Sequence, residues 1–259
     1  MNLRMALFQM DIVFGEPEAN KKSIEQYFKK IDSTVDIVVL PELWTTGYDL
    51  DRLDDIADEG AKDSIGFLKQ LAKYYHVNIV GGSVAKQTSK GVSNTMLVIN
   101  RKGELISTYD KAHLFRLMNE EAFLIPGNDT GLFSIEDQPS AGVICYDIRF
   151  PEWIQTHMTS GAAMLFVVAQ WPLARIDHWK ALLIARAIEN QCYVIACNRV
   201  GEDPNNTFGG HSMIINPWGE VIRQAGTEEE IVCDSINLSD VNTIRKTIPI
   251  FDDRRPDIY

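Results

Sequence analysis

Short apolar runs recur along the whole chain, and most are rich in Val and Ile and bounded by Gly, Pro, Asn or Asp. This pattern is typical of β-strands. Several runs are continuously apolar instead of alternating, which indicates strands that are covered on both faces. Strands are therefore predicted within "LRMALFQ" (3–9), "VDIVVL" (35–40), "VNIVGGSV" (77–84), "TMLVIN" (95–100), "AGVIC" (141–145), "AAMLFVVA" (162–169), "CYVIAC" (192–197), "SMIINP" (212–217) and "EEIVCDSI" (229–236).

Longer segments with helical periodicity lie between these runs. Helices are predicted in "PEANKKSIEQYFKKI" (17–31), "AKDSIGFLKQLAKYYH" (61–76) and "HWKALLIARAIENQ" (178–191). "NRKGEL" (100–105) and "NPWGEV" (216–221) each place a Gly between two strands and predict hairpins. Because helices alternate with strands while hairpins interrupt the crossovers, we expect a layered α/β sandwich. No linker or repeat divides the sequence, so residues 1–259 are expected to form one domain. The acidic stretch 49–60 is expected to be a solvated loop or helix face.

Composition narrows the classes of partner. The net charge of −11 argues against a nucleic-acid partner, because a phosphate-binding surface needs clustered Lys and Arg. The four cysteines include no CxxC and no Cys/His pairs at zinc-finger spacing, so neither a disulfide framework nor a metal is expected. The N-terminus lacks a signal-peptide pattern, and no window holds 18 apolar residues. We therefore expect a cytoplasmic protein with reduced thiols and no membrane partner.

Three short segments place a reactive side chain at the end of an apolar run. Glu42 follows a strand and a Pro in "VVLPELWTTGYD", Lys111 lies in "STYDKAHLF", and Cys145 ends the run before "YDIRFPEW". Ligands bind at the carboxyl ends of strands in many α/β folds. A carboxylate there could take the thiol proton, and an ammonium could stabilise the thiolate and an oxyanion, with the Tyr146 N–H as a second donor. The chemistry indicated is acyl transfer through a thioester.

These segments resemble the motifs of the nitrilase, or carbon–nitrogen hydrolase, superfamily. "LPELWTTGY" is similar to its glutamate motif, "YDKAHLF" to its lysine motif and "CYDIRFPE" to its cysteine motif, in the family's order. "RAIENQCYVIACNRVG" and "GHSMIINPWGEV" look like its later segments, so the resemblance covers nearly the whole chain. It implies a Glu42-Lys111-Cys145 triad and an αββα sandwich that forms a homodimer. It also implies a second glutamate in "NEEAFLIPG", namely Glu120, or Glu121 if the motif is shifted by one position.

The C-terminal segments "GHSMIINPWGEVIRQAGTEEEIV" and "IRKTIPIFDDRRPDIY" look most like the ω-amidase branch of that superfamily. The resemblance implies hydrolysis of the terminal amide of 2-oxoglutaramate or 2-oxosuccinamate, with release of ammonia and without a cofactor. Such a substrate is anionic and needs a cation away from Lys111. Arg149 is the leading candidate, although a salt bridge to Asp147 or Glu152 is an equal alternative.

Other interpretations of these residues stay open at this level. Cys145 alone would be read as a buried structural thiol, since free cysteine is among the most buried residue types. Trp171, in "VVAQWP", could line the pocket or belong to the core. The remaining thiols are most simply packed in the interior; they are Cys192, Cys197 and Cys233.

Three other functions are also compatible with the sequence. A papain-type enzyme would use His113 or His178 as the base, with Asn198 as the orienting amide. A different amidase or an N-carbamoyl hydrolase would keep the same triad. A metabolite-binding protein with this fold would bind without turnover, although it would have no need of Glu42, Lys111 and Cys145 together.

Overall fold

The computed structural model describes residues 1–258, and Tyr259, which ends the last motif, lies outside them. The strands are β1 (Asn2–Gln9), β2 (Ile37–Val39), β3 (Asp58–Glu59), β4 (Asn78–Thr88), β5 (Gly91–Ile99), β6 (Leu105–Asp110), β7 (Leu132–Ile135), β8 (Gln138–Ile144), β9 (Met164–Ala169), β10 (Tyr193–Asn198), β11 (Met213–Ile215), β12 (Val221–Gln224) and β13 (Glu230–Asn237). Each of the nine predicted runs overlaps one of these strands.

The helices are α1 (Pro17–Phe28), α2 (Leu53–Ile56), α3 (Lys62–Tyr75), α4 (Glu120–Phe123), α5 (Pro151–Thr159), α6 (Ile176–Asn190) and α7 (Ser239–Thr247). Short 3₁₀ helices cover Leu50–Arg52, Arg116–Met118, Cys145–Arg149 and Leu173–Arg175. Helices α1, α3 and α6 occupy the predicted segments, whereas α5 and α7 were not predicted. The acidic stretch 49–60 is more ordered than expected, because it forms short helices that bury Leu50 and Leu53.

The strands form two mixed sheets. The first has the order β13-β1-β2-β4-β5-β6, with β3 beside β4, and the second has the order β12-β11-β10-β9-β8-β7. Strands β1, β2 and β4 are parallel in the first sheet, as are β8, β9 and β10 in the second. The hairpins add antiparallel strands beside these parallel centres. Both predicted hairpins are present, with positive φ angles at Gly103 and Gly219 in their turns.

The sheets pack face to face between two layers of helices. In β1, Met5 and Leu7 belong to the core that includes the second sheet, whereas Ala6 and Phe8 pack with α1 and α3. This two-sided burial explains the continuous apolar runs. Helices α5 and α6 cover the second sheet through residues such as Ile154 and Leu183. The predicted αββα sandwich is confirmed. Within residues 1–258, no helix is long and apolar enough to cross a bilayer.

Candidate active site

Lys111 lies at the centre of a buried charge cluster. It directly follows β6, and its Nζ is 2.8 Å from Glu42 Oε1 and 2.6 Å from Glu120 Oε1. Glu42 lies just beyond β2, and Glu120 begins α4. All three side chains are fully buried. A buried ammonium and two buried carboxylates are stable only when they lie close together, because each isolated charge carries a large desolvation cost. The structure therefore brings together three residues that the motifs selected from distant parts of the chain.

Three further groups fix the Glu42 carboxylate. Its Oε1 accepts hydrogen bonds from Asn94 Nδ2 at 2.8 Å and from the Tyr48 hydroxyl at 3.0 Å. Its Oε2 accepts the backbone N–H of Gln170 at 2.8 Å, and the Gln170 side chain donates to the Glu42 carbonyl oxygen at 2.7 Å. Sequence reasoning did not select these residues. Tyr48 lies within the glutamate motif and Gln170 within "VVAQWP", whereas Asn94 carries no comparable signal.

Glu120, not Glu121, is the second glutamate of the cluster. Glu121 is exposed, whereas Glu120 Oε1 also accepts from the Tyr48 hydroxyl at 2.6 Å and its Oε2 accepts the Phe115 N–H at 2.7 Å. Burial raises the pKa of Glu120, and the charge of Lys111 opposes that effect. Burial and the two carboxylates hold the pKa of Tyr48 well above its usual value, so Tyr48 acts as a neutral donor.

Cys145 occupies a sharp turn at the end of β8. It is the first residue of the 3₁₀ helix Cys145–Arg149 and has a φ of 44°, which is rare for a residue other than glycine. The Asp147 carboxylate holds the turn, because its Oδ2 accepts the Ile144 N–H at 3.0 Å and the Tyr109 hydroxyl at 2.8 Å. Its Oδ1 accepts the His113 N–H at 3.0 Å. The turn thus joins the cysteine segment to the lysine segment.

The surroundings of Cys145 favour the protonated form of its thiol. Burial raises its pKa well above the usual value, the charge of Glu42 raises it further, and the charge of Lys111 opposes both. A thiol in this environment does not become a nucleophile by simple ionisation at neutral pH. It needs a base that takes the proton during attack, and Glu42 is the carboxylate whose charge acts most strongly on the pKa of this thiol.

A small cavity of about 10 Å³ adjoins Cys145. Its other lining residues are Phe115, Tyr146, Arg149, Trp171, Pro172 and Arg175. The Arg149 guanidinium lies 4.8 Å from the centre of the Trp171 ring, and its Nη2 is 3.2 Å from His178 Nδ1. Within residues 1–258, Arg149 forms no ion pair with Asp147 or Glu152, so that alternative is wrong. Trp171 is almost fully buried and both lines the cavity and packs on the core residue Trp179.

The residues of the papain-type alternative do not assemble into a triad. His113 Nδ1 is 2.7 Å from Asp147 Oδ1, and its ring stacks on Phe150. The Asn198 side chain bonds instead to the backbone N–H and carbonyl of Trp171. Among the hydrogen bonds of residues 1–258, none joins His113 or His178 to Cys145 or Asn198.

The other thiols lie away from the cavity. Cys192 Sγ contacts the Arg186 carbonyl oxygen, and burial raises its pKa to about 12. Cys197 contacts the Phe8 carbonyl oxygen, and Cys233 is half-buried against the outer core. Their prediction as packed thiols is confirmed by this burial. In the described part of the chain, no group of three or more His, Cys, Asp or Glu side chains could hold a metal ion.

Comparison with known proteins gives consistent matches. The family model described as carbon-nitrogen hydrolase matches residues 4–246. The chain is 50% identical over 259 residues, covering 100% of both chains, to a protein named 2-oxoglutaramate amidase from Bacillus subtilis (strain 168). It is 34% identical to omega-amidase YafV of Escherichia coli (strain K12), over 97% of this chain and 96% of that protein. A CN-hydrolase superfamily protein from Xanthomonas campestris, solved with an arsenic adduct in its active site, superposes with a TM-score of 0.92. It is 29% identical, with 98% of each chain covered.

Proposed function

The chain belongs to the carbon–nitrogen hydrolase family, and from this premise we propose that it hydrolyses the terminal amide of a small anionic acid. The predicted class of enzyme, one that acts on linear amides, is confirmed by the family match. The name of the Bacillus subtilis relative makes 2-oxoglutaramate the first candidate substrate, and the sequence resemblance adds 2-oxosuccinamate as the second. The observation that supports this most strongly is the buried Glu42-Lys111-Glu120 cluster, together with the Cys145 turn and the cavity that adjoins it.

Cys145 is the proposed nucleophile and Glu42 the proposed base. Because the pKa of the thiol is raised, Glu42 takes its proton as sulfur attacks the amide carbonyl. General-base help of this kind is worth roughly 10²–10⁴ in rate. Four hydrogen bonds hold Glu42 in one position. This limits how far the base has to move when the thiol attacks.

Lys111 and the backbone N–H of Tyr146 are the proposed oxyanion donors. Two of the three N–H groups of Lys111 donate to Glu42 and Glu120, which leaves the third as the proposed donor to the oxyanion. Burial raises the strength of this interaction, because no water competes for the donor. Removal of one oxyanion donor typically costs roughly 2.7–4 kcal/mol of transition-state stabilisation.

The later steps release ammonia and then hydrolyse the thioester. Glu42 gives the thiol proton to the amide nitrogen, the C–N bond breaks, and ammonia leaves a Cys145 thioester. Glu42 then takes a proton from water, with Glu120 assisting, and the water oxygen attacks the thioester. The C–S bond breaks, and the thiol is restored with the proton held by Glu42. The products are the free acid and ammonia.

Arg149, Tyr146 and Trp171 are the proposed substrate-binding residues, because all three line the cavity beside Cys145. We also propose that residues 1–259 act as one catalytic domain, as a homodimer, in the cytoplasm. Those three proposals depend on the sequence resemblance and on the need for a reduced thiol.

Ammonia release from 2-oxoglutaramate tests the proposal directly. The wild type should release ammonia and the Cys145→Ala variant should not, whereas Cys233→Ala, at a half-buried thiol away from the cavity, should retain activity. Activity in Cys145→Ala would overturn the mechanism. Absence of release from the wild type would discard this substrate, and a panel of amides and N-carbamoyl compounds would follow. If no compound is hydrolysed and iodoacetamide labels the thiols at similar rates, the binding-protein alternative replaces the enzyme.

A further inference from the structure

Glu42 and Glu120, the two glutamates of the buried cluster, have almost the same partners. Lys111 and Tyr48 each contact the Oε1 atom of both carboxylates, at distances of 2.6 to 3.0 Å. The Oε2 atom of each carboxylate accepts one backbone N–H. These contacts alone do not make one glutamate a better base than the other.

Asn94 is the partner that distinguishes the two carboxylates. Its Nδ2 donates to Glu42 Oε1 at 2.8 Å, whereas Glu120 bonds to no side-chain amide within residues 1–258. A hydrogen-bond donor stabilises the ionised form of a carboxylate more than the protonated form. Asn94 therefore favours a negative charge on Glu42.

Asn94 makes this contact although its own acceptor has no partner. The side chain is fully buried, and its Oδ1 forms no hydrogen bond with any of the described residues. The reversed orientation of the amide is unfavourable, because it would place Oδ1 against an oxygen of Glu42. A buried acceptor of this kind costs free energy, and natural proteins keep such groups mainly at functional sites. The contact with Glu42 accounts for an amide at this position.

Asn94 also belongs to a well-supported part of the first sheet. It lies in β5, between β4 and β6, and is paired with Ala85 of β4. Its carbonyl oxygen accepts the Lys111 N–H at 2.8 Å. One residue thus holds both the backbone of the proposed cation and the carboxylate of the proposed base. A donor fixed in this way needs no reorganisation when a proton moves.

We propose that Asn94 is a positioning residue that makes Glu42, and not Glu120, the base of the cluster. Its amide stabilises the carboxylate form of Glu42, which can then take the Cys145 proton, while an additional proton in the cluster goes to Glu120. Burial raises the pKa of Glu120, the charge of Lys111 opposes that effect, and the charge of Glu42 adds to it. The inference rests on the proposed function, because it concerns the base of the same reaction.

Asn94→Ala and Asn94→Asp test this role through the pH profile of kcat/KM for 2-oxoglutaramate, which reports on the free enzyme. Without the amide donor, Glu42 keeps its proton up to a higher pH, and only ionised Glu42 can act as a base. The acid limb should therefore move up by about 1–2 pH units in Asn94→Ala, which corresponds to the loss of a hydrogen bond to a charged group. It should move further in Asn94→Asp, because a second carboxylate then lies beside Glu42. The other titratable groups that face Glu42 are the same in both variants; they are Lys111, Glu120, Tyr48 and Cys145.

Asn242→Asp is the matched control, because Asn242 is an exposed residue of α7 and its substitution adds the same charge. Its pH profile should coincide with that of the wild type. Circular dichroism checks that each variant is folded. If Asn94→Asp does not fold, the profile of Asn94→Ala decides.

The outcomes separate this inference from the proposed function. A kcat/KM that is lower at every pH, with the acid limb where the wild type has it, overturns the inference, because Asn94 then supports only the shape of the site. If the wild type does not hydrolyse 2-oxoglutaramate, that substrate is discarded and the rate of iodoacetamide labelling of Cys145 between pH 5 and pH 8 replaces kcat/KM. A labelling profile that moves to higher pH in the Asn94 variants supports the role of Asn94. A labelling profile that coincides with that of the wild type overturns it.

Discussion

At the scale of the residue, the proposed chemistry depends on how Glu42 acts on the Cys145 thiol. Its charge raises the pKa of Cys145, so removing that charge lowers the pKa and increases the thiolate fraction. If Glu42 acts only as a charge, its removal should therefore speed the alkylation of the thiol. If Glu42 acts as a base, its removal should slow the alkylation. We expect Glu42→Gln to slow iodoacetamide labelling of Cys145 at neutral pH by roughly 10²-fold, because general-base help is lost. Peptide mass spectrometry measures the rate at each cysteine.

His113→Ala is the control for that experiment, because His113 belongs to the papain-type alternative and contacts Asp147 instead of Cys145. It should be labelled nearly as fast as the wild type. Faster labelling in Glu42→Gln than in the wild type would show that Glu42 only suppresses the thiolate. If labelling is slow in His113→Ala but not in Glu42→Gln, His113 and not Glu42 is the base.

Lys111 should also be a determinant of stability. Lys111→Met leaves the buried Glu42 and Glu120 carboxylates without a cation, and breaking a buried ion pair in this way typically costs about 3–5 kcal/mol. The pKa of Glu120, already raised, rises further in this variant. A carboxyl whose folded pKa exceeds its unfolded value binds more protons when folded, so stability falls as pH rises through that interval. The loss measured by urea unfolding should therefore be larger near pH 8 than near pH 5.

The double variant Lys111→Met/Glu120→Gln provides the matched comparison, because it removes one of the two unpaired charges. It should recover part of the stability at pH 8 and show a weaker pH dependence. A single variant that is as stable as the wild type at pH 8 would contradict the electrostatic account of this cluster.

The sequence could select Glu42, Lys111, Cys145 and the pair Glu120/Glu121, because motifs record side-chain identity in a fixed order. It could not select Gln170, whose bond to Glu42 spans 128 residues and arises only when two sheets meet. Motif register favoured Glu120 over Glu121, but the choice depends on the side of the short helix α4 that faces Lys111. Their catalytic roles stay a prediction until the variants are measured.

At the scale of the element, the turn after β8 presents Cys145 with a positive φ, and Asp147 is the residue that holds this conformation. In Asp147→Asn one acceptor oxygen becomes a donor, so two of the N–H or O–H groups around it lose their partner. We expect a loss of about 2–3 kcal/mol in the free energy of unfolding, typical of buried groups left without a hydrogen bond. We also expect a fall in kcat with little change in KM, since the displaced group is the nucleophile.

Asp129→Asn is the control, because Asp129 is exposed and its substitution changes the charge by the same amount. Surface substitutions of this kind usually change stability by less than about 0.5 kcal/mol. Urea unfolding and steady-state kinetics check both variants. An Asp147→Asn protein with wild-type kcat would mean that the turn holds Cys145 without this carboxylate.

Elements with a clear pattern were predicted, and those with an unusual turn were not. Strand β7 escaped prediction because its hairpin to β8 turns at Glu136 and Asp137, both with positive φ, where glycine or asparagine is the usual signal. Helix α5 begins at Pro151, a residue that favours a first helical turn but lies within the cysteine motif. Pattern alone therefore predicts the continuous strands well and the edges of the second sheet poorly.

At the scale of the whole molecule, the site exists only where the two sheets meet. Glu42 and Lys111 follow strands of the first sheet, whereas Cys145 and Gln170 follow strands of the second. The periodicity of the sequence predicts that the strands are covered on both faces, but not which strand ends face each other. That pairing depends on the packing of distant residues, such as Met5 and Leu7 against the second sheet.

Arg199 is a fully buried side chain that connects the two sheets. It lies just beyond β10, its Nη2 is 2.6 Å from Asp11 Oδ1, and Asp11 lies just beyond β1 of the other sheet. Its Nη1 donates to Gln170 Oε1 at 3.0 Å, and Gln170 in turn fixes Glu42. The chain of contacts therefore runs from one sheet to the other and ends at the proposed base.

Arg199→Met should loosen both the junction of the sheets and the position of Glu42. It leaves the buried acceptors Gln170 Oε1 and the Ile12 carbonyl oxygen without their donor, which typically costs about 1–3 kcal/mol, whereas the half-exposed Asp11 is solvated by water. We expect a matching loss in urea unfolding and a fall in kcat of at least about tenfold, with a smaller change in KM, because a displaced base weakens catalysis more than binding. Arg223→Met, on exposed strand β12, should match the wild type in both measurements. If Arg199→Met loses stability but keeps the kcat of the wild type at a temperature where it is folded, Arg199 supports the fold alone and the link to Glu42 is wrong.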